Sequence, residues 1–130
     1  MKNYIEYNGE SLKITAQRAI EIEDKLGAGI IEKMNNCPDQ VGVLSTIIAG
    51  AIQQGSYDER QKKAISFFDD MIDEGKSIVD YQILVFEVLV TAGFMSGEEL
   101  KVKKLILQSQ KMLLAENLKK ATELNNTSAK

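Results

Sequence analysis

The segment that most constrains this chain is residues 78–92, Ile-Val-Asp-Tyr-Gln-Ile-Leu-Val-Phe-Glu-Val-Leu-Val-Thr-Ala. It is apolar nearly all round, so as a helix it must be wrapped by other elements or half covered by a partner. Its longest apolar stretch, Ile83 to Val90, is broken by Glu87 and falls well short of the roughly 20 residues of a membrane span. The cover therefore has to come from the rest of the chain or from a partner. With 130 residues there is enough for one domain and one core, not two. Apolar residues make up 44%, too many for a disordered chain, while the absence of Trp leaves the filling to aliphatic side chains.

Helix punctuation is dense. Thr15 is placed to cap a helix carrying Ala16, Ala19, Ile20, Ile22 and Leu26, with Gly27 just past its end. A short helix over Ile30, Ile31 and Met34 is predicted to stop before Asn35-Asn36 and Pro38. A third is predicted from about Asp39 to Gln54, with Val43 or Leu44, Ile47, Ile48, Ala51 and Ile52 as its apolar face and Gly55 ending it. Ser56-Tyr57-Asp58-Glu59 reads as a capping box, opening a helix with Ala64, Ile65, Phe68, Met71 and Ile72 that stops at Gly75. Ser77 caps the apolar segment, with Asp80 three residues on. Gly93 closes it, and Phe94 is placed for the apolar contact of a Schellman motif. Ser96-Gly97-Glu98-Glu99 is a second capping box. The long amphipathic helix it opens carries Leu100, Leu107, Leu114 and Ala121 at sevenfold spacing, with Val102, Leu105, Ile106, Leu113 and Leu118 widening the same face.

The start differs. Tyr4-Ile5-Glu6-Tyr7 and Ser11-Leu12-Lys13-Ile14 alternate around Asn8-Gly9, the strongest two-residue hairpin signal. Its buried face is expected from Tyr4 or Ile5, with Leu12 and Ile14. A lone hairpin is marginal, so it must rest on helices or pair with another chain. The expected fold is mainly α: a hairpin at 4–14, then five to six helices, in a single domain over 1–124 with a disordered polar tail at 125–130.

The residue inventory shapes the chemistry. There is no histidine, the commonest general base and metal ligand, and Cys37 is the only cysteine. Intramolecular disulfides are excluded, and Asn36-Cys37-Pro38 has nothing local to activate a thiolate. Gly27-Ala28-Gly29 follows no strand and lacks the Lys-Ser/Thr of a phosphate loop, so it reads as cap and turn. The carboxylates Asp69, Asp70, Asp73 and Glu74 form pairs four apart near a helix C-terminus, where the dipole disfavours them. They read as a solvated acidic face or a surface for a basic partner, without the spacing of an EF-hand. An enzyme is not expected, nor a cofactor or a metal.

Charge is unevenly spread. Residues 1–96 hold nine Lys and Arg against fifteen Asp and Glu; residues 97–130 hold seven against four. Met1-Lys2-Asn3-Tyr4 leads into no long apolar run, so no secretory signal is expected and the reading is a cytoplasmic protein without a membrane segment.

Several segments resemble a known family. The run from Leu12 to Gly27, ending Ile22-Glu23-Asp24-Lys25-Leu26-Gly27, is similar to the strand and helix that open the tail assembly chaperones of long-tailed phages and prophages of Gram-positive bacteria and of gene-transfer-agent particles. Their helix ends Leu-Glu-x-x-Leu-Gly; here Ile22 holds the first Leu position. Leu44 to Gln54 resembles the family's next helix, and Phe68 to Ser77 with Thr91-Ala92-Gly93-Phe94 its closing segment. The likeness spans roughly residues 4–94 and leaves out the helix after Ser96.

The resemblance implies a non-enzymatic chaperone that binds the tape-measure protein, with the tail-tube protein as a second candidate partner, keeping the tape measure soluble until tube subunits polymerise around it. It also implies frequent homo-oligomers, action in the host cytoplasm and, in many phages, a longer frameshifted product. Shallow apolar grooves and tolerant methionines (Met34, Met71, Met95, Met112) would suit such a client. The expected protein-binding residues are Phe86, Leu89, Leu100, Leu107, Met112, Leu114, Lys103, Lys104, Asp69 and Asp73. Self-association is expected through the helix at 97–124 or the hairpin edge. The rival reading is a small regulatory or nucleic-acid-binding module using Lys101, Lys103, Lys104, Lys111, Lys119 and Lys120, which no aromatics interleave.

Overall fold

The computed structural model describes residues 3–128; in its last helix the side chains of Leu114, Leu118 and residues 121–128 lie outside the described residues, so the places of Leu114 and Ala121 in the sevenfold pattern do too. The protein is mainly helical. An antiparallel hairpin, β1 (Ile5–Tyr7) and β2 (Glu10–Leu12), precedes α1 (Ala16–Leu26), α2 (Ile30–Asn36), α3 (Val41–Ala51), α4 (Tyr57–Asp73), α5 (Ile78–Thr91) and α6 (Gly97–Ser128). Among the described residues no helix is long and apolar enough to cross a membrane.

The hairpin forms as the turn chemistry dictates. Asn8 and Gly9 both take positive φ, 50° and 79°, and the register pairs Ile5 with Leu12 and Tyr7 with Glu10. Ile5, rather than Tyr4, joins Leu12 and Ile14 against the core, with Tyr7 beside it. The Tyr7 ring meets Phe67 of α4 edge-on at 5.1 Å, and Lys63 of α4 pairs with Glu10. The strands thus lie on helices, which supplies what a lone hairpin lacks.

The helix most completely enclosed is α3. From Val43 to Ile52 every residue is buried, and α1, α2, α4, α5 and β2 all touch the helix. The expectation of a single apolar face is overturned. Ser45 and Thr46, which break the apolar pattern, turn their hydroxyls onto the carbonyls of Val41 and Gly42 one turn back and so are satisfied inside the core. Gly50 lets α1 come close: a Cβ there would overlap Cγ1 and Cδ1 of Ile22.

α3 also ends earlier than predicted, at Ala51, with Ile52 already extended. Its last carbonyls are buried and need donors from elsewhere. Lys13 N–H donates to the Ala51 carbonyl at 3.0 Å, the Gln53 side chain to the same oxygen at 2.6 Å, and Arg60 Nη1 to that of Ala49 at 2.6 Å. Arg60, on α4, is only 4% exposed. Its Nε donates to Gly55 O at 3.1 Å and its Nη2 to Glu21 Oε2 at 3.1 Å. One guanidinium thereby joins α1, α3, α4 and the turn between them.

Two other faces differ from the sequence reading. On α4 the buried row is Arg60, Ala64, Phe67 and Met71, while Ile65 and Ile72 are exposed and Phe68 is half-buried. On α1, Ala19 and Ile22 are buried and Ile20 faces out. In both cases a neighbouring apolar residue offered an equally regular helical row, and packing against α3 chose between them.

The caps are present but not all as expected. In the Ser56 and Ser96 caps the hydroxyl accepts from the N3 amide, at 3.3 and 3.1 Å, but the N3 glutamate takes the serine hydroxyl rather than its amide. The reciprocal bond instead appears at Ser77, whose N–H donates to Asp80 Oδ2 at 2.8 Å. After α5 the Schellman pair is complete: Phe94 N–H to Leu89 O at 2.9 Å and Gly93 N–H to Val90 O at 3.1 Å, with Gly93 left-handed at φ 87°.

Candidate interaction groove

Helix α5 holds few polar side chains, and each one named here anchors to a neighbour. The Tyr81 hydroxyl, fully buried, donates to Ala64 O on α4 at 2.7 Å. Burial pushes that phenol far above its usual range, against an opposing contact from the Ser45 hydroxyl. The Gln82 amide donates to Pro38 O at 2.7 Å and holds the α2–α3 turn. Asp80 receives Lys111 of α6 at 3.1 Å, and Glu87 receives Lys104 at 3.5 Å. Burial would raise the Asp80 carboxyl, but the Ser77 amide and then Lys111 outweigh it and hold it below the ordinary carboxylate range.

These anchors leave a groove of about 610 Å³ between α5, α6 and the α2–α3 turn. Its apolar wall is Met34, Ile78, Val79, Phe86, Ile106 and Leu107, and Lys103, Gln110 and Lys111 edge it from α6. The Lys103 ammonium sits 5.9 Å from the centre of the Phe86 ring. An open apolar groove with a polar edge is the kind of surface that can take the apolar face of an amphipathic helix.

α6 carries apolar residues on two opposite sides. At about 100° per residue, Leu100, Lys103, Lys104, Leu107 and Lys111 share the side facing α5. Leu107 is buried there and Leu100 half-buried. Val102, Leu105, Met112 and Leu113 lie on the far side, and Ile106 stands at the groove's rim. All five are half or more exposed, up to 66% for Leu105 and 67% for Met112. The sequence reading, which placed Val102, Leu105, Ile106 and Leu113 on one widened face with Leu100 and Leu107, is corrected accordingly.

The residues expected to bind protein are thus divided. Phe86, Leu107 and Lys103 come together in the groove. Lys104 is engaged with Glu87, Leu100 packs against the core edge, and Met112 belongs to the outer stripe. Leu89 is wholly enclosed, and the Leu114 side chain lies outside the described residues. Asp69 and Asp73 are exposed on α4 and do not line the groove. Among the described residues no cluster of three or more carboxylates and thiols could hold a metal. Sequence reasoning missed Val79, Gln82 and the α2–α3 turn as parts of the groove. The signal for Gln82 was in view, since a glutamine inside an apolar helix needs a partner.

Comparison of the chain with protein-family models, with curated proteins and with solved structures finds no match.

Proposed function

We propose that this protein is a non-enzymatic tail assembly chaperone that holds a helical segment of a tape-measure protein in the groove between α5 and α6. One observation carries the reading: an open apolar trough walled by Ile78, Val79, Phe86 and Leu107, on a chain with no histidine. A tape measure is a long chain with exposed apolar stripes, and an open apolar groove shelters such a stripe without demanding one sequence. The rival nucleic-acid reading has less support. Of its six lysines, Lys104 and Lys111 are paired with carboxylates of α5 and Lys103 lies over Phe86.

Co-expression with a tape-measure fragment tests the proposal. The fragment is expected in the soluble fraction with this chain and in the pellet without it. Ile78→Glu places a charge at the groove wall, at a helix N-terminus where the dipole tolerates it, so the variant is expected to fold and to lose the effect. A fragment equally insoluble with and without the native protein overturns the reading.

A further inference from the structure

The outer stripe of α6 is not part of the groove wall, apart from Ile106 at the rim, and needs a separate occupant. We infer that it pairs with the same stripe of a second copy, the two α6 helices running antiparallel about a two-fold axis at Ser109. This inference is independent of the tape-measure client.

The stripe is self-complementary. Ser109 lies at the centre of the stripe, among Val102, Leu105, Ile106, Met112 and Leu113, and is the small residue there. Small side chains at a crossing let two helices approach closely. An antiparallel two-fold centred at Ser109 sets position 109 − n of one copy against 109 + n of the other. Leu105 then meets Leu113 and Ile106 meets Met112, each twice, as an isologous contact requires. Val102 meets the aliphatic stem of Glu116.

The charges match in the same register. Glu98, exposed in the first turn and about 20° from the middle of the stripe, faces Lys120, exposed near the far end, while Glu99 and Lys119 fall at the same level on the flanks. A parallel pairing would instead set Glu98 and Glu99 against themselves and the lysines against themselves. The same match recurs at the other end by symmetry, giving two facing opposite-sign pairs from one register.

Sedimentation velocity of the full chain over a range of concentrations tests this. A monomer–dimer equilibrium is expected. Leu105→Glu, at a site already exposed, is expected to keep the native circular dichroism spectrum and to abolish the dimer. Glu98→Lys with Glu99→Lys is expected to raise the dimer dissociation constant by about tenfold or more, and adding Lys119→Glu with Lys120→Glu to restore it. In a Cys37→Ser background, Ser109→Cys is expected to give an oxidised dimer, since the axis brings the two Cα atoms within the roughly 7 Å a disulfide can span.

A chain monomeric at every concentration overturns the inference and leaves the stripe to a foreign helix. Association that survives Leu105→Glu also overturns it and moves the contact elsewhere, the hairpin edge first. Failure of the second charge reversal to restore the dimer overturns the antiparallel register.

Discussion

Two residues show how close packing and buried charge decide the core. Gly50 is the contact point of α1 and α3. In an open helix Gly→Ala is stabilising by about 0.5–1 kcal/mol. Here the added methyl would meet Ile22, so Gly50→Ala is expected to destabilise the protein by about 1–3 kcal/mol in urea unfolding. Shortening the neighbour, Ile22→Ala, removes both overlapping atoms and should give a combined penalty smaller than the sum of the two single ones. At the other junction, the hydrogen bond from Arg60 holds the Glu21 carboxyl below its ordinary range, outweighing the opposing effect of burial. A lowered folded value means that the stabilisation is complete above the unfolded value and fades as pH falls towards the folded one. Glu21→Gln should therefore lower stability near neutrality and flatten its decline below about pH 4.5, as followed by thermal melts across pH.

Among the elements, α3 and α6 depart most from their sequence pattern, in opposite ways. α3 looked amphipathic because Gly42, Ser45, Thr46 and Gly50 interrupt its apolar residues. Small size and hydroxyl back-bonding let three of these four sit inside, and only Gly42 is exposed. α6 looked like one broad apolar face, but among the described residues it carries two narrow ones, of which the side with Leu100 and Leu107 packs against the same chain. The helix starts and stops were legible because caps are local chemistry: Thr15, Ser56, Ser77 and Ser96 all stand at helix starts, and Gly93 closes α5 with Phe94 in place. Ending the chain after Met95 should strip the cover from Phe86 and α5. The loss of the Leu107 and Leu100 contacts is expected to cost about 3 kcal/mol or more and to expose an aggregation-prone face, measurable by urea midpoint and light scattering.

At the scale of the whole molecule, the groove and the outer stripe lie on different sides of one helix and share only Ile106 at the rim, so substitutions elsewhere on either surface should separate client binding from pairing. Leu105→Glu is expected to lose the dimer and still solubilise a tape-measure fragment, whereas Ile78→Glu is expected to dimerise and fail with the client. Sedimentation of each variant beside the co-expression assay reads both outcomes. A protein built this way would present two apolar surfaces, one facing a foreign chain and one facing itself.

The sequence by itself determined the hairpin turn, the helical class, the four serine and threonine caps and the need to wrap residues 78–92, because each of these rests on interactions within a few residues. It also determined the residue types from which a site can be made, with no histidine among them. The tertiary structure alone decided which apolar row of α1, α4 and α6 faces inward. It alone enclosed α3 rather than leaving it one-sided, and brought Arg60 to a carbonyl eleven residues away in the chain. The physical reason is that helical periodicity offers several rows of similar hydrophobicity, and only close packing against a particular neighbour separates them in energy.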